Sequence, residues 1–180
     1  MEINDIKLYD QRPDDERLTK ETAVYDLLEK LGIGYLRADH PTADTMEDCE
    51  VIDKALGVNI AKNLFLCNRQ KTCFYLLIMP SDKGFRTKDL SAQINSARLS
   101  FADADAMQEY LGLTPGSVSV MGLMNDKDKF VKLLIDRDLL SNEYFGCHPC
   151  INTSSLKIKT DDIMNRLLPF LGFQPVIVDL

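Results

Sequence analysis

The stretch KNLFLCN-RQK-TCFYLLIMP, residues 62–80, constrains the fold more than any other. Two β-forming, largely apolar runs flank a short polar turn, which predicts a hairpin. Helical and strand patterns alternate around it. Residues 13–31, PDDERLTKETAVYDLLEKL, read as an amphipathic helix. Pro13 and an acidic first turn suit its start, Val24, Leu27, Leu28 and Leu31 form its apolar stripe, and Gly32 follows its end. GYLRAD reads as a short strand. Thr45 can cap a second helix, with Asp48 in the first turn and Gly57 near the end. TKDLSAQIN and ADAMQEYL read as helices, and RLSFAD, VSVMGL, SSLKIKT and PVIVDL as strands. FVKLLIDRDLL is a strand entering a polar turn, and DDIMNRLLPFLGF is a helix interrupted or shifted by Pro169. No repeat, low-complexity tract or linker divides the chain. The expectation is an α/β fold: one compact domain over residues 1–180, with a central mixed β-sheet and flanking helices.

A chain of 180 residues buries enough surface to fold without disulfides or metal. Its first residues lack the basic and apolar regions of a secretion signal. FYLLIM is strand-sized, well short of the ~20 residues of a membrane span. The expected location is cytoplasmic, with no membrane partner and with the five cysteines as reduced thiols. A net charge of −7, from 28 acidic and 21 basic residues, argues against DNA as a partner. It leaves room for a local grip on one end of an RNA.

EYFGCHPCINTSSL packs Cys147, His148 and Cys150 into four residues. A structural zinc site needs four ligands, and Cys49, Cys67 and Cys73 form no second close pair. A redox pair needs a helix to follow at once, and the polar turn INTSS follows instead. A cysteine nucleophile needs a base placed in space, which adjacency to His148 does not provide. No metal is expected, and the cysteines read as small semi-buried fillers. LGLTPGSVSVMGL gathers Gly112, Pro115, Gly116 and Gly122 around a strand start. Such a loop can aim backbone N–H groups at an anion or carbonyl oxygen, or can be an ordinary turn. Lys62 taken alone reads as a solvated lysine at a strand end, and His40 as a turn residue before a helix.

Five blocks occur together in order and spacing: HPTADTMED, AKNLFLCNRQKTCFYLLIMP, LGLTPGSVSVMGL, LLIDRDLL and GCHPCINTSSLKI. In these the chain resembles the YbaK and prolyl-tRNA-synthetase-associated editing domain family. It is most similar to the free-standing PrdX/ProX-like branch, which deacylates alanyl-tRNA(Pro). The resemblance implies hydrolysis of an aminoacyl ester at the 3′-terminal adenosine of mischarged tRNA(Pro), without metal or organic cofactor. It implies the tRNA(Pro) acceptor end as partner, with prolyl-tRNA synthetase as a further one. Carried onto this chain, it makes Lys62, Gly112, Gly116 and His148 catalytic, and places His40, Pro115, Ser117 and Met121 against the substrate. The family often has VSPFGL where this chain has VSVMGL, so Val120 and Met121 bear on the amino-acid pocket. It often has a larger apolar residue where Cys147 stands. Two alternatives stay open: hydrolysis of cysteinyl-tRNA(Pro), and a non-catalytic module binding aminoacyl-tRNA or an amino acid.

Overall fold

The computed structural model describes residues 1–43 and 45–180; Asp44, within the HPTADTMED block, lies outside the described residues. The first half of the chain runs β1 (Lys7–Tyr9), α1 (Thr19–Lys30), β2 (Tyr35–Asp39), α2 (Met46–Leu56), β3 (Lys62–Asn68), β4 (Phe74–Met79) and α3 (Thr87–Gln93). The second half runs β5 (Leu99–Phe101), α4 (Ala104–Leu111), β6 (Val131–Asp136), β7 (Tyr144–Cys147), β8 (Ser154–Lys159), α5 (Thr160–Asp162), α6 (Leu168–Leu171) and β9 (Val176–Val178).

The expected hairpin is β3–β4, in register from Lys62↔Met79 to Cys67↔Phe74. Asn68 closes its turn, its Oδ1 accepting from the N–H groups of Thr72 (2.8 Å) and Cys73 (3.1 Å). The hairpin is the centre of a mixed sheet ordered β5-β3-β4-β6-β9, in which β6 runs parallel to β4 and β9 parallel to β6. Phe74, Leu76 and Ile78 face one apolar cluster, which also holds Val24 and Leu28 of α1 and Met107 and Leu111 of α4. Tyr75, Leu77 and Met79 face another, against Leu90 of α3. FYLLIM is apolar at every position because both faces of β4 are covered.

Beside this expected mixed sheet lies a second, antiparallel sheet, ordered β1-β2-β8-β7. The two meet at a seam where residue 60 bridges Gly146 in parallel and the Ala61 N–H donates to the Gly146 carbonyl at 2.9 Å. A Cβ on Gly146 would stand 2.7 Å from the Asn59 carbonyl oxygen and 2.8 Å from Ile60 Cα. Only glycine lets the two backbones come this close.

Local rules account for most helix ends. Thr45 Oγ1 accepts from the Asp48 N–H at 3.1 Å while Asp48 Oδ2 accepts from the Thr45 N–H at 3.2 Å, a capping box. Gly57 ends α2 at φ +63°. Three expectations are corrected. α1 begins at Thr19, not Pro13: Leu18 is its N-cap in extended backbone, ψ 140°, and Arg17 before it pairs with Asp15, Glu21 and Asp39. VSVMGL is no strand: Val120–Met124 is a 3-10 helix, capped by Ser119 Oγ accepting from the Met121 N–H at 3.2 Å. Gly122 lies so close to Leu113 that an added Cβ would meet its Cδ1 at 2.6 Å. The strands β1 and β7 went unread. The C-terminal helix is shifted ahead of Pro169 by a π-helical segment, Ile163–Leu167, between α5 and α6. Among the described residues no helix is long and apolar enough to cross a membrane.

Candidate active site

Lys62 is the first residue of β3, just past the seam, and His148 follows the last residue of β7. The seam therefore brings residues from the two sheets to one place. They line a cavity of about 420 Å³ together with Gly116 and Val118 from the loop after α4. Ile52, Ile60 and Ala61 supply apolar wall, and Glu50, Asp53 and Asp82 supply carboxylates. A shallower depression of about 640 Å³ adjoins it, sharing Glu50, Asp53 and Asn59, but holds none of the residues singled out from the sequence.

Lys62 is half-buried and its Nζ donates to the Lys83 carbonyl at 3.2 Å. Lys83 is itself pinned: its Nζ bonds Asp138 Oδ2 at 2.7 Å and Asp136, which is fully buried, at 3.0 Å. The loop carrying Ser81 and Asp82 is thus held against Lys62. Asn63 also lines the cavity; its Nδ2 donates to the Ala61 carbonyl at 2.8 Å, and its buried Oδ1 has no partner among the described residues.

The Thr114–Ser117 turn has Pro115 second and Gly116 third, at φ +86°, with the Ser117 N–H donating to the Thr114 carbonyl at 3.0 Å. Proline then a positive-φ glycine is the pattern of a type II turn. Ser117 is buried, and its Oγ donates to the Thr114 carbonyl at 2.9 Å, so it holds the turn. Ser119 Oγ donates to the His148 carbonyl at 2.5 Å, tying this loop to the histidine.

His148 Nδ1 faces the Ser154 carbonyl at 3.1 Å and Ser155 Oγ at 3.2 Å. Ser155 Oγ in turn lies 2.9 Å from Nε2 of buried His40, whose Nδ1 faces the Pro41 carbonyl at 2.8 Å. Burial pushes the pKa of both imidazoles down, and for His148 the nearby His40 adds to the effect. Both shifts favour the neutral imidazole.

The structure divides the residues singled out from the sequence. Lys62, Gly116 and His148 share the cavity, and His40 stands behind His148. Gly112 does not line it. At φ +64° it is the left-handed cap of α4, and an added Cβ would meet Asn125 Nδ2 at 2.9 Å. Met121 is fully buried in the core cluster, and Pro115 and Ser117 shape the turn without lining the cavity. Asn63, Ser119 and Ser155 were not singled out; Asn63 alone carried a signal, standing next to Lys62 in the KNLFL run.

The cysteine cluster is closed off from solvent. Cys147 and Cys150 are buried, and burial raises both thiols, Cys150 to about 12. Cys150 sits at φ +64° in the turn after Pro149. Among the described residues no group of three or more His, Cys, Asp or Glu side chains is arranged to hold a metal ion.

Comparison with known proteins bears on this cavity. The family model described as an aminoacyl-tRNA editing domain matches residues 40–165, from His40 past His148. The chain is 34% identical over 141 residues to the prolyl-tRNA editing protein ProX of Acetoanaerobium sticklandii, covering 78% of this chain and 86% of that one. It is 28% identical over 165 residues to prolyl-tRNA synthetase associated domain-containing protein 1 of Xenopus laevis, covering 89% and 96%. Its fold matches the crystal structure of a candidate trans-editing enzyme for prolyl tRNA synthetase at a TM-score of 0.66, with 15% identity over 92% of this chain and 99% of that one. The chain belongs to the aminoacyl-tRNA editing domain family.

Proposed function

We propose that this aminoacyl-tRNA deacylase clears mischarged tRNA(Pro) in trans, with alanyl-tRNA(Pro) as its substrate. The observation that carries the reading is the convergence of Lys62, Gly116 and His148 on one cavity from three separate segments. Its volume suits the aminoacylated terminal adenosine rather than a whole macromolecule. The name of the ProX relative supports tRNA(Pro). The small apolar wall, Ala43, Ala61 and Val118, suits a methyl side chain.

The chemistry asked of the site is modest. A synthetase pocket shaped for proline rejects alanine weakly, since each missing methylene is worth about 1–3 kcal/mol. A second pocket that admits alanine and excludes proline completes the discrimination. Lys62 holds the phosphate or ribose of the terminal adenosine as a point charge. The Gly116 N–H has no intramolecular acceptor among the described residues and is free to face the ester oxygen as negative charge develops there. Water adds to the acyl carbon, the ester C–O bond breaks, and the ribose oxygen leaves with a proton. The vicinal ribose hydroxyl assists the water, so no protein nucleophile is required. His148 lines the pocket and orients the amino acid.

Residues 1–180 act as one editing unit in the cytoplasm, alone or beside prolyl-tRNA synthetase. The test is deacylation of alanyl-, cysteinyl- and prolyl-tRNA(Pro), with Lys62→Ala as control. Loss of alanine alone, slowed about 10²–10³-fold in the variant, supports the reading. Faster loss of cysteine moves the substrate to the sister ester. Turnover undiminished in Lys62→Ala refutes the role given to the lysine.

A further inference from the structure

His40 makes no contact with the cavity, yet its ring is joined to His148 by a continuous run of hydrogen bonds. The hydrogens along that run can be assigned by elimination. A carbonyl only accepts, so the 2.8 Å contact with Pro41 requires a hydrogen on His40 Nδ1. Neutral His40 then carries a bare lone pair on Nε2, and the only group facing it among the described residues, Ser155 Oγ at 2.9 Å, must donate its one hydrogen there. Ser155 has no hydrogen left for His148 and can only accept from it. His148 Nδ1 faces that oxygen and the Ser154 carbonyl, two acceptors, so it too carries the hydrogen. Nε2 of His148 is left bare, has no partner among the described residues, and belongs to a side chain that lines the cavity.

We propose that His40 is a positioning residue which, by claiming the Ser155 hydrogen, fixes His148 in its Nδ1–H tautomer and offers Nε2 to the α-ammonium of the aminoacyl group. The ammonium part rests on the deacylase reading above; the tautomer part does not. The carboxylates of Glu50, Asp53 and Asp82 line the same cavity and suit a cation. Without His40, the Ser155 hydroxyl can rotate and donate to His148 Nδ1, in competition with the Ser154 carbonyl. That admits the Nε2–H form, which turns the acceptor into a donor facing an ammonium.

The chain has only two histidines, so long-range 1H–15N spectra of the free protein at neutral pH resolve both rings. Wild type should show His148 protonated at Nδ1. His40→Leu should populate the Nε2–H form. Ser155→Ala should keep Nδ1–H through the Ser154 carbonyl, and the double variant His40→Leu/Ser155→Ala should restore it. His40→Gln, whose amide can accept from Ser155, should behave as wild type. A bare Nδ1 in wild type, or a His40→Leu spectrum like wild type, overturns the relay. A merely structural His40 would not be rescued by removing a second hydrogen-bonding group.

The second arm compares alanyl-tRNA with propionyl-tRNA, which carries a hydrogen in place of the ammonium, each rate divided by its uncatalysed hydrolysis. Wild type should favour the alanyl ester about tenfold or more in kcat/KM. His40→Leu should lose that preference, and the double variant should regain it. No preference in wild type overturns the ammonium assignment while the spectra still decide the relay. No turnover of any ester defeats the deacylase reading instead.

Discussion

Replacing Gly146 by alanine tests the seam on which the cavity depends. The new methyl would stand 2.7 Å from the Asn59 carbonyl oxygen and 2.8 Å from Ile60 Cα, where ordinary contact begins near 3.4 Å. Both obstacles are backbone, so no side chain can yield, and the strands must part by roughly 0.7 Å. Overpacking of this kind costs about 1–3 kcal/mol. Straining the 2.9 Å bond from Ala61 N–H to the Gly146 carbonyl adds about 1 kcal/mol. Together, about 2–4 kcal/mol lowers the melting temperature of a chain this size by roughly 4–16 °C. The same displacement separates Lys62 from His148, and a 1 Å misplacement of reacting groups costs about 10²-fold in rate. Gly34→Ala and Gly84→Ala are the controls, because a Cβ at either position meets nothing within 4 Å. The assay is thermal denaturation, followed by single-turnover deacylation of alanyl-tRNA well below the variant's transition. A Gly146→Ala protein that melts with wild type and turns over within twofold of it would refute both the steric argument and the claim that the seam sets the site.

Other consequences can be checked directly. Lys83→Met leaves Asp136 buried without its cation and should cost about 3–5 kcal/mol in chemical denaturation, with KM rising as the loop over Lys62 loosens. Because His40 and His148 have lowered pKa values when folded, the unfolded chain binds more protons below about pH 6.5. Stability is therefore complete above that pH and declines as pH falls toward the folded values, and urea midpoints between pH 5 and 8 should decline on the acid side. Native protein should expose Cys49 and Cys73 to a thiol reagent, while Cys67, Cys147 and Cys150 react only on unfolding. Fast modification of Cys147 or Cys150 would contradict their burial.

Features set by neighbours in sequence were legible, and those set by distant packing were not. The Thr45–Asp48 box, the Gly57 stop and the 62–79 hairpin all follow from residues a few positions apart. The end of α4 was legible too, but Gly112 was grouped with the turn it precedes, although a glycine after a helical run is itself a C-cap signal. VSVMGL has the composition of a strand; what bends it is the Ser119 hydroxyl accepting from the Met121 N–H, a cap hidden inside the run, together with Leu113 packed against Gly122. YFGCHP hides a strand because a glycine and a proline interrupt its β-forming residues, whereas Gly146 is there for a backbone contact with residues 59 and 60. The cavity residues Lys62, Gly116 and His148 were reachable through family resemblance. Ser155 was not, because a serine in a strand carries no mark of the two imidazoles that its fold places on either side.

The seam also fixes an order of events. The hairpin that begins with Lys62 closes over a handful of residues, so it can form early and cheaply. The sheet that ends in His148 is held by β2 pairing with β8, from Tyr35↔Ile158 to Asp39↔Ser154, contacts of high sequence separation that slow folding. Lys62 therefore sits on one local hairpin and His148 on another, β7–β8, whose sheet is completed only by the long-range β2–β8 pairing. A chain that has completed only the first has Lys62 but no pocket, and hydrolysis reports the moment when the long-range sheet locks.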